Sequence, residues 1–220
     1  MDRRWFLGAG CAVAGSLVGP AAWAAASPRV VALQPLGPVP PADLALIERA
    51  LGAFFELEVR RLPAIALPRS AYYRPRARHR AEKLLDFLAA RRPEGVDRVL
   101  GVTARDVSTS KPPHADWGIL GLATLGGASC VVSSFRCRRG ARSAAHARSR
   151  LGKVAVHELA HTFGLDHCTT AGCLLADGGG TVRTVDGEHD LCPETRRGLE
   201  REGVALRDRE PPWPRQQGPA

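Results

Sequence analysis

Three histidines, a glutamate and a glycine stand close together in residues 157–168, which read HELAHTFGLDHC. His157 and His161 are four residues apart, and because an α-helix turns about 100° per residue, both imidazoles would face the same side. Gly164 follows three residues later, where helices commonly end in a left-handed residue that glycine adopts readily. The chain can then turn back and bring His167 to the same point. This spacing predicts a metal site with three imidazole ligands.

The chemistry that suits such a site is hydrolysis assisted by zinc. Three protein ligands leave the fourth tetrahedral position to water, which is the arrangement of catalytic rather than structural zinc. Glu158 adjoins the first ligand and is predicted to bind no metal, so it can take a proton from that water and pass it to a leaving amine. A bare HExxH occurs by chance in many helices, whereas the form extended by the glycine and the third histidine is the metzincin signature.

A helix must carry the first two histidines, and the flanking sequence favours one. Residues 143–163 contain no proline. Apolar residues recur there at close to helical spacing, which predicts a half-buried helix; they are Leu151, Val154, Leu159 and Phe163.

The sequence before this helix predicts both strands and helices. Helices are predicted over residues 42–54 and near 76–91, strands over 56–62, 96–102, 117–123 and 130–136, and a polar loop over 105–115. Strands and helices that precede one active-site helix predict an α+β fold, in which helices back a twisted mixed sheet. The part after the zinc helix is predicted to be small and irregular.

The sequence after the third histidine resembles that of the archaemetzincins. Their HExxHxxGxxH motif is followed at once by Cys, then by a second Cys, a Cys-x-Met step and a Cys-x-x-Cys pair. In this chain Cys168 follows the motif directly, and Cys173 and Cys192 occupy later cysteine positions. The stretches VLGVTARDV (99–107) and CVVSSFR (130–136) are also similar to the family, so the resemblance spans roughly residues 30 to 200.

This resemblance implies a metzincin-like zincin domain and a zinc-dependent peptidase. It implies a catalytic zinc on His157, His161 and His167, and a second zinc held by four cysteines. It also implies that a sheet edge above the cleft pairs with the substrate as an added strand, and the equivalent segment is predicted to be Val131 to Phe135. The alternative is a catalytically weak zinc-binding domain that recruits peptides or proteins through this edge strand.

Two residues depart from the family pattern. Leu175 occupies the methionine position, and the only methionine in the chain is Met1. Leucine is apolar and similar in volume to methionine, so we expect the catalytic zinc site to persist. Thr195 occupies the last cysteine position, and because threonine is not a zinc ligand, the second zinc site lacks one ligand.

Three alternatives are open for Cys168, Cys173 and Cys192. His189 could replace the missing thiolate and complete a structural Cys3His zinc site. The cysteines could instead form disulfides in an oxidising compartment, either with one another or with Cys137. They could also be unpaired small core residues.

The first residues have the layout of a bacterial twin-arginine signal. Arg3 and Arg4 precede an apolar run that ends in small residues, and cleavage is predicted after Ala26. An uncleaved membrane anchor is the alternative. We therefore expect a periplasmic or secreted protein with a signal over residues 1–26, a metalloprotease domain over 27–205, and a disordered proline-rich tail over 206–220.

The charge and composition exclude some partners. The net charge is +9, but only three of the 31 basic residues are lysines, and the arginines are scattered without interleaved aromatic residues. We therefore expect no nucleic-acid partner, and the basic surface favours acidic partners instead. The predicted partner is a peptide or protein substrate, with no stable membrane association after signal cleavage, and the chain is expected to be a monomer.

Overall fold

The computed structural model describes residues 29–177, 179 and 181–214, which form sheets packed against helices. The strands are β1 (Arg29–Leu36), β2 (Leu57–Arg61), β3 (Tyr72–Tyr73), β4 (Arg78–Arg80), β5 (Arg98–Thr103), β6 (Val107–Lys111), β7 (His114–Ile119), β8 (Gly121–Ala123) and β9 (Ser129–Ser133). The helices are α1 (Pro41–Phe54), α2 (Ala81–Ala89), α3 (Ser134–Cys137), α4 (Ala144–Thr162), α5 (Val182–Gly187) and α6 (Pro193–Arg201). The predicted α+β class is confirmed.

The predicted signal, residues 1–26, lies outside the described residues, so its cleavage and export stay predictions. The first described strand, β1, begins at Arg29. Within the described part of the chain, no helix is both long and apolar enough to span a membrane.

The main sheet has the strand order β2-β1-β5-β9-β8. Strands β2, β1, β5 and β9 are parallel to one another, and β8 pairs with β9 in the antiparallel direction. A smaller sheet has the order β3-β4-β6-β7. Strand β8 therefore lies at an edge of the main sheet, and within the described residues no strand covers its outer side.

Helices cover both faces of the main sheet, because side chains along each strand point alternately to opposite faces. In β5, Leu100 and Val102 belong to the core formed with α1 and α4, whereas Val99 belongs to the core formed with α2. Gly101 faces α2 closely, since an added Cβ would lie 2.6 Å from Cδ1 of Leu88. Helices α1 and α4 therefore pack against each other on one face of the sheet, and α2 covers the other face.

The region before α4 differs from the prediction in two places. The helix predicted near 76–91 begins only at Ala81, because a 3₁₀ turn at Arg74–Arg76 and strand β4 come before it. The loop predicted over 105–115 is instead a hairpin of β6 and β7 with Pro112 and Pro113 at its turn. Strand β6 also pairs in parallel with β4, with Val107 opposite His79, and local polarity does not reveal a pairing with so distant a segment.

Two predicted strands are divided in the structure. The strand predicted over 117–123 breaks at Leu120, so that β7 and β8 join different sheets. The strand predicted over 130–136 ends at Ser133, whose Oγ accepts a hydrogen bond from the Phe135 amide and begins α3. A serine at this position favours a helix start over continued strand.

The C-terminal tail packs on the domain through one tryptophan. Trp213 is buried, stacks on Phe54 and donates a hydrogen bond from Nε1 to the carbonyl of His189. Leu206 forms a β-bridge with Phe55. The prediction of disorder from residue 206 is therefore wrong as far as Trp213, because one large aromatic side chain buries enough apolar surface to anchor a short proline-rich segment.

Candidate metal centre

The three histidines of the motif meet at one point beside α4. Ser143 caps the start of α4, since its Oγ accepts a hydrogen bond from the amide of His146, and the helix runs without interruption past the first two histidines. Gly164 has a φ of 94°, which confirms the predicted left-handed turn. This turn brings the His167 ring to centroid distances of 5.2 Å from His157 and 4.7 Å from His161.

Hydrogen bonds to main-chain carbonyls fix the orientation of two of these rings. Nδ1 of His157 lies 2.7 Å from the Leu174 oxygen, and Nδ1 of His161 lies 2.6 Å from the Leu165 oxygen. A carbonyl only accepts, so each Nδ1 carries the proton and each Nε2 has a free lone pair. Burial lowers the pKa of His157 to about 3, with further lowering by His161, so this ring is neutral.

The donor set fits a zinc ion. The Nε2 atoms of His157 and His161 face each other at 3.0 Å, and two lone pairs at this distance repel unless a cation lies between them. Tetrahedral zinc with bonds of about 2.0–2.1 Å would separate two imidazole nitrogens by about 3.3 Å. Candidate ligand atoms of His157, His161 and His167 all lie within 4.8 Å of one another. The site thus matches zinc in ligand chemistry, number and spacing.

Glu158 is the acid-base group beside this centre. Its side chain is 7% exposed, and burial raises the pKa of the carboxyl from 4.5 to about 8. Strand β8 contacts it directly, because a Cβ added at Gly121 would lie 2.6 Å from both Cγ and Oε1 of Glu158. The carboxyl can occupy its place only because residue 121 has no side chain.

Gly121→Ala is expected to lower kcat by about 10–100-fold while the protein keeps its metal. The added methyl must displace either the Glu158 carboxyl or the β8 backbone, and a displacement of about 1 Å in a catalytic group costs about this much. Peptide hydrolysis kinetics and metal content measured on the same sample check this.

Gly52→Ala is the matched control, since a Cβ at this position in α1 meets nothing within 4 Å. It should leave kcat unchanged and stabilise the helix slightly. If kcat is unaltered in Gly121→Ala, the function of the Glu158 carboxyl does not depend on the absence of a side chain at residue 121.

The metal centre opens into a cavity of about 350 Å³. All three residues of β8 line it, together with the motif residues of α4 and with Val185 and Glu188 on the opposite wall. The prediction that Val131 to Phe135 forms the substrate-pairing edge is wrong, because β9 lies inside the sheet between β5 and β8. Among the described residues, the edge above the cavity that has no strand partner is β8, whose outer amides and carbonyls can pair with an extended peptide.

An ion pair holds the opposite wall of the cavity against α4. Arg150 is 3% exposed and donates from Nε and Nη2 to the two oxygens of Asp186, both at 2.6 Å. It also donates to the carbonyls of Cys137 and Arg139. Hydrogen bonding to Arg150 lowers the pKa of Asp186 to about 2, against the opposing effect of burial. No local pattern in the sequence indicates this pair, which fixes α5 beside the zinc helix.

The segment after the third histidine supports the centre from the side of Leu174 and Leu175. Both leucines are fully or almost fully buried, and the Leu174 carbonyl orients His157. The Leu175 carbonyl accepts from the amide of Cys168 at 2.9 Å. The apolar Leu175 at the methionine position is therefore buried as expected. The main-chain carbonyl of Leu174, and not a sulfur atom, contacts His157.

Three cysteines form a second cluster next to this segment. The Sγ atoms of Cys168, Cys173 and Cys192 lie within 4.8 Å of one another. All are free thiols in the structure, as are Cys130 and Cys137, so no disulfide joins the described cysteines. Three sulfurs this close are arranged as potential ligands of a single metal ion.

A hydroxyl stands beside these thiols. Thr195 Oγ1 lies 3.2 Å from the Cys192 sulfur and 3.4 Å from the Cys173 sulfur. Although burial raises the pKa of Cys192, hydrogen bonds from Thr195 outweigh it and lower this pKa to about 7. The four-cysteine site that the family resemblance implies is thus one thiolate short, and the residues present do not complete it.

His189 does not replace the missing ligand. Neither of its ring nitrogens lies close enough to all three sulfur atoms to join them as a ligand, and its Nδ1 is buried without a hydrogen-bond partner. The backbone explains this placement, because the His189 amide donates to the Gly172 carbonyl while its own carbonyl accepts from Trp213. The Cys3His alternative is therefore wrong for this structure.

Comparisons with known proteins agree with the fold and the site. No protein-family model matches the chain. The archaemetzincin of Haloquadratum walsbyi is 30% identical over 176 residues, which cover 76% of this chain and 98% of that protein. The crystal structure of the archaemetzincin from Methanopyrus kandleri has a TM-score of 0.70 at 27% identity and covers 81% of this chain and 97% of that one. The corresponding structure from Archaeoglobus fulgidus has a TM-score of 0.65 at 29% identity, with coverages of 76% and 98%. With the histidines of the motif brought together on this fold, the chain belongs to the archaemetzincin family.

Proposed function

We propose that this protein is a zinc-dependent peptidase. The observation that carries the proposal is the pair of Nε2 lone pairs of His157 and His161, which face each other at 3.0 Å in the same cavity as the buried Glu158 carboxyl. A zinc ion held by the three imidazoles would supply a Lewis acid that polarises the scissile carbonyl and acidifies water. Membership of the archaemetzincin family supports this assignment.

Glu158 moves the proton in the proposed reaction. The carboxyl lies in the cavity with only 7% exposure, so it contacts little bulk solvent. It accepts a proton from the attacking water and then donates it to the leaving amine. Burial favours the protonated form, which makes the carboxyl a competent donor in the second step.

Strand β8 positions the substrate. Its outer edge has no strand partner among the described residues, and Gly121, Leu122 and Ala123 all line the cavity. An extended peptide that pairs with this edge passes beside Glu158 and the three histidines. Main-chain pairing positions the scissile bond whatever most of the substrate side chains are. Such pairing is suited to an enzyme that hydrolyses peptides or proteins.

A mixed peptide library tests the proposal. The purified protein loaded with one equivalent of zinc is expected to cleave some of the peptides. A chelator should stop cleavage, and added zinc should restore it. A library that stays intact across pH and metal conditions, while peptides still bind, would favour a zinc-binding domain that recruits peptides through β8.

A further inference from the structure

Glu188 is a buried carboxyl that the proposed hydrolysis does not use. It follows α5 directly, is 3% exposed, and lines the same cavity as His157 and Glu158. Most of the cavity lining is apolar, and the other carboxyl groups that border the cavity belong to Glu158, Asp166 and Asp177. A buried polar group that faces a ligand cavity commonly sets orientation and specificity.

No residue that the structure describes forms an ion pair or a side-chain hydrogen bond with the Glu188 carboxyl. The cation that acts electrostatically on Glu188 is Lys153, which lies in α4 and is 6% exposed, whereas the lysine that lines the cavity is Lys111. The Lys153 ammonium group donates to the carbonyls of Val185 and Asp186 at 3.0 and 3.5 Å and lies 5.9 Å from the Trp213 ring centroid. Lys153 therefore compensates the charge of Glu188 only at a distance.

A buried carboxyl without a direct partner either keeps a proton or takes a cation. Burial raises the pKa of Glu188 to about 8, and the charge of Lys153 offsets this only in part. A cationic ligand group would restore the missing countercharge in a site that water hardly reaches. Charge-assisted hydrogen bonds to ammonium or guanidinium groups are among the strongest that a carboxylate can form.

The position of Glu188 fits a substrate side chain close to the scissile bond. Val154 lines the cavity one helical turn before His157, which corresponds to about 5 Å along the helix. Val185 faces the cavity from α5, next to Glu188. A long side chain can therefore pass between two valines with its apolar stem and reach the carboxyl with its charged end.

We propose that Glu188 determines specificity and that the cavity selects peptides with a cationic group, a lysine or arginine side chain or a free amino terminus, at the residue next to the scissile bond. This inference rests on the proposed peptidase function for the position of the bond, while the binding preference itself does not require turnover. The acidic site lies within a chain of net charge +9, so the preference comes from the pocket and not from the overall charge.

Matched peptides test the proposal. Acetylated peptides that differ only by lysine, arginine, norleucine or glutamate next to the cleaved bond are compared by kcat/KM, and unacetylated versions separate side-chain from amino-terminal recognition. Lysine or arginine is expected to exceed norleucine by about tenfold or more. Equal values for lysine and norleucine in the unaltered protein, with no gain from a free amino terminus, would overturn the proposal.

Glu188→Gln keeps the shape of the side chain but removes its charge, so the ratio of lysine to norleucine should fall to near one. Glu94→Gln is the control, since Glu94 is exposed on the loop after α2, and it should leave the ratio unchanged. If Glu188→Gln still prefers lysine over norleucine, a group other than Glu188 causes the preference. Because the comparison within the unaltered protein needs no variant, poor folding of Glu188→Gln would not remove the test.

Calorimetric binding separates this inference from the proposed function. Zinc-loaded Glu158→Gln is compared with the double variant Glu158→Gln, Glu188→Gln, with the acetylated lysine and norleucine peptides as ligands. A lysine preference that only the double variant loses supports the pocket assignment even if no peptide is ever cleaved. Cleavage by the unaltered protein without any such preference would support the peptidase and overturn the role of Glu188.

Discussion

Glu158→Gln is expected to lower kcat/KM for peptide hydrolysis by about 10³-fold or more while the protein retains its zinc. The amide is nearly isosteric with the carboxyl but cannot take a proton from water, and general acid-base groups contribute about 10²–10⁴-fold each. The three histidines and their carbonyl partners are unaltered, so zinc binding should remain. Steady-state kinetics and metal analysis of the same preparation measure both effects.

The pH dependence of stability gives a control for this substitution in the metal-free protein. Burial raises the pKa of Glu158 from 4.5 in the unfolded chain to about 8 in the fold, so the native state holds a proton that the unfolded chain has lost. The contribution of Glu158 to stability is fully present below pH 4.5 and falls as pH rises toward 8, by up to about 1.4 kcal/mol per pH unit. Glutamine has no such titration.

Metal-free Glu158→Gln should therefore melt at the same temperature as the unaltered protein near pH 4 and at a higher temperature at pH 8. Thermal unfolding across this range measures the difference. If Glu158→Gln loses activity but is more stable at pH 8, the loss of activity comes from the missing acid-base group and not from misfolding. Retained hydrolysis in the variant would instead mean that another group moves the proton.

The histidine cluster could be predicted from sequence because all of its geometry is local. Helical spacing places His157 beside His161, and Gly164 needs only its own positive φ to return the chain to the centre. The carbonyl partners of the rings could not be predicted in the same way. The Leu174 carbonyl contacts His157 only because the intervening chain makes a turn, and few sequence signals define this turn.

The rest of the cavity depends on contacts between distant segments. Gly121 has no special φ and lies in a short strand, so only its approach to Glu158 shows why a glycine is needed there. The edge position of β8 follows from the order of the whole sheet, and a strand's propensity does not reveal whether it is central or at an edge. The sequence predicts that Trp213 belongs to a disordered tail, because its stacking partner, Phe54, lies far away in the chain.

The cysteine cluster shows how one residue changes a metal site. Cys168, Cys173 and Cys192 hold their sulfurs within 4.8 Å of one another, and Thr195 Oγ1 contacts two of them from the first turn of α6. Zinc bonds to sulfur of about 2.3 Å would bring tetrahedral sulfurs to about 3.8 Å apart, which requires only a small contraction. A thiol at residue 195 would therefore stand close to the missing fourth position.

Thr195→Cys is expected to retain a second equivalent of zinc under reducing conditions, where the unaltered protein retains one. Zinc that binds the native but not the unfolded state adds about 2.7 kcal/mol at 100 times its dissociation constant, and for a domain of this size the melting temperature should rise by about 5–10 °C. Metal content after gel filtration and thermal unfolding with and without zinc measure these effects. Thr195→Ser keeps the hydroxyl and should behave like the unaltered protein. Two equivalents retained by the unaltered protein would show that three thiolates suffice, and one equivalent in Thr195→Cys would show that residue 195 does not face the vacant ligand position.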